Sequence, residues 1–226
     1  MVMPAAEAAP KSRPQPTSCI DLAALDAAPL QRNPFDHVII ENFIEPQHLD
    51  AILATFPDVP GPGSHSPTSL RLDGTFAALL HELEGDAFLR AIEGKFAIDL
   101  TGRPTVTTIR GELREKDGAV HTDARTKLMT ALLYLNRDWS APGGRLRLLR
   151  SRNLDDFAVE IAPERGTLLV FRRSETSWHG HAPFVGPRRA VQMSYVRDRT
   201  TAVREERRHR LATFLKGVTR RLSHTG

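Results

Sequence analysis

HTDARTKLMTALLYLNRDW, from His121 to Trp139, carries the pattern from which the architecture of this chain follows. It opens on a histidine and an aspartate two positions apart and continues into an apolar run, Leu128 to Leu135. It ends on Asn136 and Asp138, residues that favour turns. The same texture continues outward. Val106 to Arg110 lies upstream, and Leu146 to Leu149, Phe157 to Ile161, Thr167 to Phe171 and Ala190 to Val196 lie downstream, with Gly, Pro, Asn and Asp between them. Several short runs of this kind, broken by turn residues, predict a β-sandwich or barrel. No internal repeat favours a propeller or solenoid.

The first hundred residues read differently. Phe35 to Ile40 fits a short strand, and a helix is expected from near Pro46, carrying Leu49, Ile52, Leu53 and Phe56. The Pro, Gly and Ser of Pro57 to Pro67 require a loop. Two more helices are expected over Thr75 to Glu84, with Phe76, Leu79, Leu80 and Leu83, and over Asp86 to Ile98, with Phe88, Leu89, Ile92 and Phe96. Helices first and strands afterwards give an α+β chain, a sheet buttressed on one face by helices.

Composition bounds the rest. With 226 residues, 40% hydrophobic and 26% charged, the chain suits one well-buried globular domain. Its one cysteine, Cys19, excludes an internal disulfide framework and fits a reducing, cytoplasmic compartment. The opening MVMPAAEAAPKSRPQPTS lacks the apolar run of a signal peptide and reads as a disordered leader over 1–18. No segment reaches membrane-spanning length. A single domain is then expected over 19–202, with helical support at 34–100 and a β core at 105–198. A basic amphipathic helix is expected over 203–226. That tail holds Arg204, Arg207, Arg208, Arg210, Lys216, Arg220 and Arg221 against Glu205 and Glu206, a surplus exceeding the net charge of +4 for the whole chain. Leu211, Leu215, Val218 and Leu222 recur there at helical spacing. Such a helix either packs on the domain with a solvated charged face or meets an anionic surface or nucleic acid; without interleaved aromatics the second reading is the weaker.

The chemistry concentrates at His121, Asp123, His179 and Arg188. Residues i and i+2 of an extended segment project to one side, so the His121 imidazole and the Asp123 carboxylate converge, and a distant histidine completes three ligands. Two neutral nitrogens and one anionic oxygen on one side of a metal suit non-haem Fe(II). His179 and His181 fall on the same face of a strand, so alternation alone does not choose between them. Arg188 and Arg189 are adjacent, and only one of them can point inward.

The order of HTDARTKLMTALLYLNRDW, GGRLRLL (Gly143 to Leu149), VEIAPERGTLLVF (Val159 to Phe171) and SWHGHAPFVGPRRAVQMSYV (Ser177 to Val196) resembles the core of the Fe(II)- and 2-oxoglutarate-dependent dioxygenases, in particular the prolyl-hydroxylase-like branch. The resemblance covers roughly Thr105 to Val196. It implies a double-stranded β-helix, or jelly roll. It further implies Fe(II) on His121, Asp123 and His179, with 2-oxoglutarate as cosubstrate, O2 as oxidant and ascorbate as a reductant. His179 is selected because the family's second histidine precedes its basic residue by about nine positions. Arg188 then takes the distal carboxylate of 2-oxoglutarate through paired hydrogen bonds, and Tyr134 donates its hydroxyl to the same group. An intact Asp123 favours hydroxylation over halogenation, with release of succinate and CO2. The substrate is expected to be a protein residue, a free amino acid or a small metabolite. Arg110, Arg125 and Lys127 are read either as cations that hold a polar substrate or as solvated edge charges, and His181 as pocket-lining or loop. The alternatives are a non-catalytic jelly-roll protein binding a metal or small acid, a Zn(II) hydrolase, and a nucleic-acid module built on the basic tail.

Overall fold

A computed structural model describes residues 18–208. Two antiparallel sheets make the core. The elements in chain order are α1 (Leu22–Ala27), β1 (His37–Ile40), α2 (Pro46–Ala54), α3 (Gly74–Leu83), α4 (Asp86–Phe96), β2 (Thr105–Leu113), β3 (Lys127–Tyr134), β4 (Leu146–Leu149), β5 (Phe157–Ile161), β6 (Leu168–Arg172), β7 (His179–Gly180) and β8 (Gly186–Val196). The larger sheet runs β1-β6-β3-β8-β2 and the smaller β5-β4-β7. This is the jelly-roll arrangement, with α2, α3 and α4 inserted between β1 and β2. No helix among the described residues is long and apolar enough to cross a membrane.

The period of two in the strands divides the interior into separate cores. On β3 and β8 of the larger sheet, Met129, Ala131 and Leu133 and then Val191, Met193 and Tyr195 face one way. They pack with Val38, Ile40, Leu168 and Val170 against Phe76, Leu79, Leu83, Phe88, Ile92 and Phe96 of α3 and α4. The intervening residues of the same strands face the smaller sheet, where Phe35, Tyr134, Leu169, Phe171 and Ala190 meet Leu146, Leu148 and Ile161. Slipping a strand by one residue would exchange the two sets, so burial on both faces fixes the register.

The helices are held by local chemistry as well as by packing. The Asp21 carboxylate accepts the Ala24 N–H at 2.8 Å and caps α1, a six-residue helix that lacks the length for a strong periodic signal. At the head of α3, Thr55 Oγ1 accepts the Phe76 N–H at 2.9 Å and joins the end of α2 to that first turn. The segment expected as a loop keeps that character, with one short 3-10 turn at Pro67–Ser69 and a bridge from His65 to Ile109 of β2. Residues 199–208 are helical, and Glu206 accepts the Thr68 hydroxyl at 3.2 Å, tying that helix to the turn. The apolar stripe Leu211, Leu215, Val218 and Leu222, and the expected leader up to residue 17, lie outside the described residues.

Candidate active site

Between the sheets lies a cavity of about 490 Å³. One wall is the inward face of the larger sheet, read row by row from the register. Thr130 lies opposite Ser194, Leu132 opposite Gln192 and Tyr134 opposite Ala190. On the far side of β8, Arg110 of β2 is also opposite Ala190, and Thr108 opposite Gln192. All eight residues line the cavity, and so does Arg188.

His121, Asp123 and His179 come together at one end, their candidate ligand atoms all within 4.8 Å of one another. The backbone sets the two histidines. His121 N–H donates to His179 O at 3.0 Å, and His179 N–H donates to His121 O at 2.9 Å, the reciprocal pair of an antiparallel ladder. Their ring centroids are 4.4 Å apart. Each Nδ1 lies against a carbonyl, Ala119 O at 2.8 Å for His121 and Ser177 O at 2.9 Å for His179. A carbonyl only accepts, so each Nδ1 carries a proton, and in the neutral ring Nε2 is the nitrogen left with a lone pair for a metal. Burial pulls the His179 imidazole down to about 4 against the opposing charge of Asp123, which keeps the ring neutral near pH 7.

Asp123 is buried, with both oxygens engaged. Lys127 Nζ donates to Oδ1 at 2.8 Å, and Thr130 Oγ1 donates to Oδ2 at 2.6 Å. Burial alone would raise this carboxyl, but the charges of Lys127 and His179 and the two hydrogen bonds outweigh it, and the group stays below the usual carboxylate range. The Thr130 hydroxyl also lies 3.3 Å from Ser194 Oγ, so a chain of hydroxyls on β3 and β8 fixes the acid from behind. Neither Thr130 nor Ser194 is among the site residues expected from the sequence. A rule that inward hydroxyls directly opposite one another form a pair would have found both.

Arg188 and Tyr134 stand at the other end. Arg188 is buried, and its guanidinium sits 4.9 Å from the centroid of the Tyr134 ring. Its Nε donates to Gly144 O at 2.8 Å. That carbonyl is available because Gly144 takes φ +74, where a Cβ would come within 2.8 Å of the Trp139 ring. Among the described residues no carboxylate pairs with Arg188, and the buried Tyr134 hydroxyl has no hydrogen-bond partner. A buried cation and an orphaned donor side by side fit an anionic ligand. Burial raises the Tyr134 phenol, opposed by Arg188 and Arg110, so the hydroxyl stays neutral and able to donate. Arg189 points to the opposite face, exposed, with its guanidinium 5.2 Å from the centroid of the Phe56 ring.

The remaining candidates separate clearly. His181 is buried and lines the cavity beside Gly118, whose φ of +92 and 2.2 Å Cβ-to-ring approach leave no room for a side chain. Arg125 pairs with Glu175 at the surface. Lys127 is held by Asp123, whereas Arg110 faces the cavity. Trp178 stacks under the Arg152 guanidinium at 4.4 Å.

Residues 112–197 match the model of the 2OG-Fe(II) oxygenase superfamily. A search among curated proteins returns no match. Among solved structures, a prolyl-4-hydroxylase of Pseudomonas putida superposes with a TM-score of 0.52 at 18% identity, over 81% of this chain and 99% of its own. A viral collagen prolyl hydroxylase of Paramecium bursaria Chlorella virus-1, solved with 2OG, gives 0.47 at 15% identity over 71% and 96%. At 18% identity the likeness to the Pseudomonas putida structure is one of fold, and the segment matched by the family model begins on β2 and includes all three members of the histidine-aspartate cluster. Residues 112–197 are thus similar to the 2OG-Fe(II) oxygenase superfamily, and the histidine-aspartate cluster within them fits the iron site that this family implies.

Proposed function

We propose that this chain hydroxylates a C–H bond of a protein residue, an amino acid or a small metabolite, and releases succinate and CO2. In this reading His121, Asp123 and His179 hold Fe(II), and Arg188 and Tyr134 hold the distal carboxylate of 2-oxoglutarate. The observation that carries it is the arrangement of two groups in one cavity: two free Nε2 lone pairs beside a carboxylate at one end, and an acid-free guanidinium beside an orphaned phenol at the other. When bound, iron with 2-oxoglutarate and O2 supplies the oxidising power, as cofactors do generally, while the protein supplies placement.

Each residue then has a definite task. The two imidazoles turn Nε2 toward the ion, because their Nδ1 protons are committed to carbonyls. Asp123 adds the negative charge that favours a divalent ion, and Thr130 keeps its plane from rotating. Lys127, close to the same carboxylate, holds it ionised in the absence of an ion. Arg188, anchored by Gly144 through one nitrogen, offers its remaining N–H groups to an incoming carboxylate. Prolyl action is suggested by the fold of the Pseudomonas putida protein alone, and fold does not fix substrate.

The test is succinate formation from 2-oxoglutarate by the purified protein with Fe(II) and ascorbate, across free amino acids, proline-containing peptides and small metabolites. Turnover that disappears in Asp123→Ala and His179→Ala is the expected outcome. Neither turnover nor iron-dependent binding of 2-oxoglutarate would leave a binding protein in place of the enzyme.

A further inference from the structure

The cavity carries one inward-facing charge more than a single cosubstrate anchor requires. Of the acids lining it, Asp123 is paired with Lys127, Glu205 with Arg208, and Asp117 with Arg114. Arg188 and Arg110 are left facing inward without a direct ion pair to an acid among the described residues, Asp117 acting on Arg110 only through its charge at longer range, and the Arg110 Nε is buried without any hydrogen-bond partner among the described residues. Lys116, also in the lining, is exposed to solvent.

The register locates this second arginine. Arg110, Ala190 and Tyr134 form one row across β2, β8 and β3. Thr130 and Ser194, which hold Asp123, lie four residues further along their strands. Four strand residues span about 13 Å, so Arg110 stands at the Tyr134 end and not beside the metal ligands. The charges that act on it are Arg188, Asp117, Tyr134 and Arg114, with none from the metal cluster. Ala190, the middle member of the row, has a side chain too small to fill the space between Arg110 and Tyr134. Burial and the Arg188 charge both push the Arg110 guanidinium down, yet an arginine stays protonated. Two like charges facing one cavity, with Asp117 only partly offsetting one of them, are unfavourable until an anion joins them.

We propose that Arg110 is a second binding residue for the cosubstrate, so that the distal carboxylate of 2-oxoglutarate is held in a cradle of Arg188, Tyr134 and Arg110 drawn from three adjacent strands. This rests on the oxygenase reading above and assigns to β2 a part in it. A carboxylate has lone pairs enough for both guanidinium groups and the phenol, and it relieves the repulsion between the two arginines as it binds. The cradle therefore discriminates strongly for a 2-oxo acid with a charged far end over one of equal length without it.

The experiment is a calorimetric titration of Zn(II)-loaded protein, which binds without turnover, with 2-oxoglutarate and with 2-oxopentanoate, the same carbon chain lacking the distal carboxylate. Arg110→Met should weaken 2-oxoglutarate binding by about tenfold to a hundredfold, the value of a charge-assisted hydrogen bond, and leave 2-oxopentanoate within about twofold. Arg110→Lys, which keeps the charge, should recover part of the loss. The Arg110→Met/Arg188→Met pair should lose less than the two single losses multiplied, because both grip one group. Unchanged 2-oxoglutarate affinity in Arg110→Met would overturn the cradle and leave Arg110 to some other anion. Equal weakening of both ligands would overturn it as a structural effect. A wild-type protein that binds no 2-oxoglutarate would overturn the oxygenase reading and the cradle with it.

Discussion

The two faces of the larger sheet are built by the same strands and do opposite work. On β3, Met129, Ala131 and Leu133 go to the helices, and Thr130, Leu132 and Tyr134 go to the cavity. On β8 the alternation is sharper still, with Val191, Met193 and Tyr195 against Arg188, Ala190, Gln192 and Ser194. One face stabilises through apolar area removed from water, the other keeps polar groups poised for a ligand at the expense of burying them. Stability and chemistry are thus separable residue by residue along a single strand.

That separation can be broken at several points. The largest effect on function belongs to Asp123→Ala, which should lower divalent-metal affinity by more than the ~10–100-fold typical of losing a group that merely supports a ligand. Equilibrium dialysis against Zn(II) measures it, and the chain should remain folded. The largest effect on the other face belongs to Met193→Ala, expected to cost about 2–5 kcal/mol in denaturant unfolding while metal affinity stays close to that of the wild type. If Met193→Ala abolished metal binding in the folded protein, the two faces would not be independent.

A pH titration probes the boundary. His179 is held at about 4 in the folded protein against an ordinary 6.5, so between those values the unfolded chain binds a proton that the folded one refuses. The metal-free protein should lose stability as pH falls from above 6.5 toward 4, by an amount on the order of 2–3 kcal/mol for that group. Asp123, also depressed, acts in the same direction at the acid end. Thermal melts of the wild type and His179→Gln across this range should show a shallower slope in the variant, and equal slopes would contradict the assignment. Thr130→Val is subtler, with about a tenfold loss of metal affinity expected from a freed carboxylate. Smallest of all is Arg189→Ala, which removes an exposed cation near Phe56 and should cost about 1 kcal/mol or less in stability, with 2-oxoglutarate affinity unchanged.

Much of this was legible in the chain because the strands carry local signals. Leu146–Leu149 and Phe157–Ile161 are bounded in the structure as their composition suggests, and β3 is displaced by a single residue from Leu128–Leu135. The helices α3 and α4 follow their apolar spacing to within one or two positions at each end. Other features depend on distant partners and leave no local trace. The strand β7 has two residues, and it exists because Leu148 pairs with His179 on one side and His121 on the other. The hydroxyl pair Thr130 and Ser194 is separated by 64 positions and becomes visible only through the register of β3 against β8. Arg110 illustrates the limit best. As a charge near a strand end it reads equally as solvated, and only the pairing of β2 with β8 turns it inward.

The reciprocal backbone bond between His121 and His179 has a consequence for selectivity among ions. Because both imidazoles hang from one rung, the bite they offer is set by main-chain geometry and does not need to be assembled around the incoming metal. An ion of the right radius would find these two donors ready and lose little entropy in ordering them. A misfit ion could adjust only the third arm, which is itself pinned by Thr130. With these residues as the proposed ligands, the choice of metal rests on the backbone, and a substitution that loosened this rung, with every ligand kept, would be felt as a loss of discrimination before a loss of fold.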